Sequence, residues 1–247
     1  MPDNLIKYLS TFRYKRTLFD IYDRKFSFNF GDCSSEGDLV KYLVELYPDS
    51  SVEKINDYLD NGKSFYNEIL KINDFKFPRS FDSGENLARL LFALIKLGNP
   101  NLVVETGVAN GFSTKVILKA LEGSRGVLHS FDVNPETEFV HQKSINWMWH
   151  KLDFRNPERD LKFQVSQLKE SVDIWLHDSD HSKYWQTFEF RLASNHMSSK
   201  GILISDDIED SSAWSILFNN HRKIQMADKH KVVGVVKPNR FSDQVLL

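Results

Sequence analysis

The chain has 247 residues, 41% hydrophobic and 27% charged, so it can bury one large core and is not a disordered polymer. Its net charge of −2 offers no basic field for nucleic acid or anionic lipid. One cysteine, Cys33, excludes an internal disulfide and a Cys-rich zinc site. No apolar stretch approaches the ~18 residues of a membrane span. Residues 1–20 lack the apolar core of a leader and read as mature protein, and a reducing cytoplasm fits these features.

Residues 1–80 carry helical periodicity and little strand signal. GDLVKYLVELY (37–47) and SVEKINDYLDNGKSFYNEILKI (51–72) predict two helices, set apart by turn clusters at 31–37 and 48–51. We read a helical amino-terminal cap on a second unit, residues 81–247. Three roles are open to it: cover over a site, contact with a second copy, or plain packing. The segment FPRS (77–80) marks the boundary, since Pro78 cannot lie inside a helix.

From residue 83, helix and strand alternate. GENLARLLFALIKLG predicts an amphipathic helix stopped by Gly98-Asn99-Pro100. LVVET (102–106) is a buried strand and 113–121 a helix. GVLHSFDV (126–133) is a second strand, followed by the turn Asn134-Pro135 and a helical segment. INWMWHKLDF (145–154) and VDIWLHDSD (172–180) are the third and fourth strands. WQTFEFRLASNHM predicts a helix, GILISDD (201–207) a fifth strand, SSAWSILFNNHR a helix and KVVGVVKP (231–238) a sixth strand. The alternation predicts an α/β fold with a doubly wound, mostly parallel sheet, whose ligands bind beyond the carboxyl ends of the strands.

The strongest local signal is LVVETGVANGFST, residues 102–114. An apolar strand ends in Glu105, Gly107 and Gly111 follow, and Ser113-Thr114 open a helix. Glycines let the backbone approach a ligand, and a helix start aims N–H groups at negative charge. The spacing is neither G-x-G-x-x-G nor a P-loop. The predicted strands also end in acids: Glu105, Asp132, Asp153, Asp178 with Asp180, and the pair Asp206-Asp207. One acid at such a junction is an ordinary helix cap, whereas five junctions in succession on one sheet edge point to a site.

The acid-x-Gly-x-x-x-Gly pattern and this run of acids resemble the class I S-adenosylmethionine-dependent methyltransferases over residues 83–238. Within that class the similarity is to metal-dependent O-methyltransferases of the catechol O-methyltransferase type and their macrolide, sugar and cephalosporin-hydroxylase-like relatives. The resemblance implies S-adenosylmethionine as cofactor. Glu105, Gly107 and Gly111 would floor its methionine part, and Ser113 would meet its carboxylate. Asp132 would hold both ribose hydroxyls, as one carboxylate can for a vicinal diol. Asp153 would receive the adenine amino group.

The resemblance also implies a divalent cation, Mg²⁺ with Mn²⁺ or Ca²⁺ as substitutes, on Asp178, Asp206 and Asp207, with Asp180 able to replace Asp178. Adjacent acids repel one another unless a cation or hydrogen-bond donors compensate them. His181, three residues after Asp178, stands where catechol-type members carry a lysine base and would take the proton of a small-molecule hydroxyl. Two acids at 206–207, where the family often has Asp-Asn, tilt the acceptor toward a sugar or polyol over a phenol. Trp185, Trp214 and the cap would shape the acceptor site, while Trp147, Trp149 and Trp175, inside strands, go to packing. A nicotinamide-dependent oxidoreductase would need G-x-G-x-x-G and, in one type, Tyr-x-x-x-Lys; neither is present. A non-catalytic protein that keeps the cofactor pocket stays open.

Overall fold

The computed structural model describes residues 23, 26–72, 76–79, 82–139, 144–228 and 231–239. Residues 1–22 of the predicted cap lie outside the described residues. Helix α1 (Glu36–Leu46) begins where Ser35 and Asp38 cap one another, the Asp38 N–H donating to Ser35 Oγ and the Ser35 N–H to Asp38. Ser51 caps α2 (Val52–Ile69), its hydroxyl accepting the Lys54 N–H. Helix α3 (Glu85–Gly98) closes on Asn99, in the left-handed conformation at φ 44°, as the Gly-Asn-Pro punctuation predicts.

Seven strands then form one sheet: β1 (Leu102–Thr106), β2 (Val127–Asp132), β3 (Trp147–Lys151), β4 (Val172–His177), β5 (Met197–Ser205), β6 (Lys223–Asp228) and β7 (Lys231–Val236). Their order is β3-β2-β1-β4-β5-β7-β6, and β7 runs antiparallel to both β5 and β6 while the other pairings are parallel. Helices α4 (Phe112–Leu121), α5 (Pro157–Ser166), α6 (Lys183–His196) and α7 (Ala213–Leu217) fill the connections. This is the doubly wound, mostly parallel sheet the alternation predicts. The sequence reading lacked β6 and made the helix before it too long: α7 spans five residues, and the chain re-enters the sheet as KIQMAD. The predicted helical segment after Asn134 is a 3₁₀ stretch, Pro135–Phe139.

Because strand side chains alternate between faces, the sheet divides two cores. Val103, Ile174, Leu176, Ile202, Ile204 and Val235 pack toward α1–α4, and Val104, Trp175, Leu203 and Val232 toward α5–α7. The helices of the predicted cap belong to the first core: Leu39, Leu43, Ile55 and Leu59 are buried together with α3 and α4. At the α2–α3 crossing a Cβ on Gly62 would lie 2.8 Å from Arg89 Cα, so a missing side chain permits the close approach. The Arg89 guanidinium forks onto Glu36, and Arg222 onto Glu45 at 2.6 and 2.9 Å, tying α1 to the body. Among the described residues no helix is long and apolar enough to cross a membrane.

Candidate active site

Strand register aligns the carboxyl ends. Thr106 stands beside Phe131 and His177, and His177 beside Ser205. The pairing continues one residue further, the Asp178 N–H donating to Thr106 O at 3.0 Å and the Asp206 N–H to His177 O at 2.9 Å. The order of the sheet reverses at β1, so a crevice opens above β1 and its neighbours. A cavity of about 770 Å³ lies there, with Gly107, Asp132 and Leu152 at one end and His181, Asp207 and Lys231 at the other.

The glycine loop forms the first end. Gly107 has φ +81°, and a Cβ there would sit 2.0 Å from the Asp178 carbonyl oxygen, so no side chain fits. Ala109 (φ 43°) and Gly111 (φ 68°) complete the turn, Gly111 as the residue preceding α4. Asp132, half-buried, faces the cavity while its oxygens accept the N–H groups of Val108 and Asn134, each at 2.8 Å. Burial raises its pKa against the pull of these bonds.

Glu105 and Ser113 do not line this cavity. Glu105 is fully buried beneath the loop and accepts hydrogen bonds from Ser113 Oγ (2.6 Å), Thr114 Oγ1 (2.7 Å) and Ser130 Oγ (2.6 Å). Burial pushes its pKa up, and the three hydroxyls draw it back. The Ser113 hydroxyl therefore turns into the fold instead of toward a ligand carboxylate. Asp153 is also displaced from its expected role. Strand β3 stops at Lys151, leaving Asp153 exposed in the turn to α5, where it accepts the Arg155 N–H at 3.0 Å. Its neighbours Leu152 and Pro157 line the cavity instead.

The second end is a knot of charge. His181 Nδ1 lies 3.0 Å from Asp207 Oδ2 and 3.8 Å from Asp210 Oδ2, and its buried Nε2, 4.0 Å from Asp178 Oδ1, has no hydrogen-bond partner among the described residues. Burial lowers the His181 pKa, but the carboxylates of Asp207, Asp178 and Asp206 overcome it and bring the group to about 9. Lys231 Nζ lies 3.3 Å from Asp206 Oδ2 and 3.1 Å from Asp207 Oδ2. Burial opposes its charge, and Asp206, Asp207 and Asp178 hold its pKa well above the ordinary lysine value. Asp178 accepts from Ser83 Oγ at 3.1 Å; burial and the nearby Asp206 push its pKa far up. Asp207 adopts φ 49°, and His181 and Lys231 hold its pKa down against burial.

The expected cation tripod of Asp178, Asp206 and Asp207 does not fit this arrangement. Among the described residues, the group of three side chains whose donor atoms gather within 4.8 Å is His181, Asp207 and Asp210. The space between Asp206 and Asp207 is spanned by the Lys231 ammonium. Asp180, on the cavity wall, accepts the N–H of Ser182, the cap residue of α6, at 2.8 Å.

Residues 104–208 match the family model for a methyltransferase domain. The doubly wound sheet agrees with a domain of that kind. Among solved structures, a Staphylococcus aureus protein assigned as a caffeoyl-CoA O-methyltransferase is similar at 13% identity, over 80% of this chain and 98% of that one, with a TM-score of 0.51. A Bacillus cereus O-methyltransferase in complex with S-adenosylhomocysteine matches at 12% identity, over 81% and 96%, TM-score 0.48. The O-methyltransferase TomG of Streptomyces achromogenes, solved with S-adenosylmethionine, matches at 13%, over 74% and 90%, TM-score 0.46. At these identities the likeness is one of fold. No curated protein matches the chain.

The cavity wall uses residues that the sequence reading passed over. Glu189, in mid-α6, is fully buried and accepts from Thr106, Trp175, Ser179 and Trp185, three of which form the cavity wall. Trp185 lines the cavity as predicted, but Trp214 does not: it is buried against Phe190 and Phe218, its Nε1 donating to Gln225 at 3.1 Å. Phe77, placed at the expected domain boundary, is part of the wall. The Asn110 side chain binds its N–H (2.9 Å) and, through Nδ2, Asp82 (2.8 Å), linking this segment to the glycine loop.

Proposed function

We propose that the chain methylates a hydroxyl of a small molecule, a sugar or polyol in preference to a phenol, in a reducing cytoplasm. The observation that carries the reading is His181 on the wall of the same cavity as Gly107 and Asp132, its Nδ1 fixed on Asp207 and its buried Nε2 without a hydrogen-bond partner among the described residues. S-adenosylmethionine, when bound, supplies a methyl on a sulfonium whose C–S electron pair stays on sulfur as the methyl becomes the acceptor's O-methyl group. Asp132 offers carboxylate oxygens to a vicinal diol, and the Gly107 backbone, packed against the Asp178 carbonyl, lines the same cavity. Asp207 keeps the ring proton on Nδ1, so neutral His181 presents a lone pair at Nε2 to the acceptor's O–H and takes its proton. The Glu189 bonds hold Thr106, Ser179 and Trp185 still, which keeps the wall aligned for an in-line transfer.

Calorimetry with S-adenosylmethionine and S-adenosylhomocysteine, followed by methyl-labelled transfer to a panel of sugars, polyols and catechols, tests the reading. His181→Ala should abolish transfer and leave S-adenosylhomocysteine binding intact. Failure of the folded chain to bind either cofactor would sink the proposal.

A further inference from the structure

Consecutive carboxylates at a strand end, largely out of water, repel one another unless a counter-charge lies within a few ångströms. In this chain another strand supplies it. Lys231 opens β7, the one reversed strand, and its antiparallel course returns the ammonium to the carboxyl edge of β5. There Nζ meets Asp206 at 3.3 Å and Asp207 at 3.1 Å; the lysine lines the cavity and 28% of its side chain is exposed. Asp207 Oδ2 receives both Lys231 and His181. The lysine therefore helps fix the carboxylate that orients the ring. A magnesium ion between the same two carboxylates would need oxygens at ~2.0–2.1 Å and would meet the ammonium's positive charge at contact distance. The two cations are mutually exclusive there.

We propose that Lys231 is the resident cation of the acceptor end, standing where a divalent ion would bridge Asp206 and Asp207, so that methyl transfer by this chain needs no bound metal. The inference rests on the methyl-transfer reading, and its test separates the two. Full-length protein is titrated with Mn²⁺, read by electron paramagnetic resonance and calorimetry, with S-adenosylhomocysteine present and, in a second series, with chelator. Wild type should bind S-adenosylhomocysteine equally with and without chelator and show no saturable Mn²⁺ site tighter than about 1 mM. Lys231→Met should open a Mn²⁺ site at least tenfold tighter, which Asp206→Asn in the same background removes. Lys231→Arg, which keeps the charge, should behave as wild type and serves if the methionine variant does not fold. Saturable micromolar Mn²⁺ binding by wild type overturns the proposal, and so does the same Mn²⁺ affinity, strong or absent, in wild type and Lys231→Met. Loss of S-adenosylhomocysteine binding in every series would instead strike the methyl-transfer reading alone.

Discussion

The His181–Asp207 pair makes a quantitative prediction that needs no knowledge of the acceptor. Its pKa stands at about 9 against an ordinary value of 6.5. That difference corresponds to ~3 kcal/mol of preference for the charged ring. With 19% of the side chain exposed, solvent screening takes little of it. Asp207→Asn removes the bonded charge at 3.0 Å and leaves Asp178 and Asp206, so the ring should titrate at least ~1 unit lower. Imidazole ¹H–¹⁵N correlation spectra of wild type and Asp207→Asn between pH 5 and 10 measure this directly. A raised pKa means the folded state holds the proton more tightly than the unfolded one. The stabilisation is thus complete below pH 6.5 and is lost as pH rises through about 9, so the midpoint of unfolding should fall across that window. Transfer should move the other way. The neutral ring is only ~1% of the population at pH 7, and rates should climb about tenfold per unit before levelling near pH 9. A ring that titrates at or below 6.5 in wild type and is unmoved by Asp207→Asn would refute the reasoning.

Four further outcomes follow from other parts of the molecule. Gly107→Ala should abolish cofactor binding measured by calorimetry, because its Cβ meets the Asp178 carbonyl oxygen at 2.0 Å and the residue sits at φ +81°. Asp132→Ala should weaken S-adenosylhomocysteine by a factor of about 100 or more, the loss of two charge-assisted hydrogen bonds at ~1.5–3 kcal/mol each. Gly62→Ala should cost ~1–2 kcal/mol in denaturant unfolding, overpacking at the α2–α3 crossing outweighing the gain in helix propensity. Burial and the stacked His150 hold His129 down at about 4, so the unfolded chain takes up a proton first as pH falls. Stability should therefore drop between pH 6.5 and 4, and His129→Phe should flatten that thermal-melt profile.

The fold was legible where strands are buried on both faces and so read as apolar runs, as in LVVET and VDIWLH, and where punctuation such as Gly98-Asn99-Pro100 ends a helix. Strand β6 was not, because KIQMAD places Gln225 and Asp228 among its apolar residues; Gln225 is there to receive Trp214 Nε1. The glycine loop was legible from its spacing, since its geometry is local, and Asp132 from its place at the end of a predicted strand together with the family resemblance. The acid knot could not be resolved the same way. A lysine opening a strand resembles a solvated flank, and only the reversal of β7 brings Lys231 to Asp206, 25 positions earlier. Glu189 resembles any surface acid of a helix until the sheet is laid against it. The direction of Ser113 depends on the buried Glu105 that it meets together with Thr114 and Ser130, a matter of packing that no motif encodes.

The carboxylate of Glu105 joins three elements at one point: β1 through its own backbone, α4 through Ser113 and Thr114, and β2 through Ser130. The loop from Gly107 to Gly111 is thereby anchored at both ends before any cofactor arrives. Ordering of the loop then contributes little to the entropy of association, and the encounter resembles insertion into a finished mould. Amide hydrogen exchange over residues 105–114 should be slow in the free protein and change little on saturation with S-adenosylhomocysteine, so that variation in affinity among cofactor analogues falls in their rate of departure.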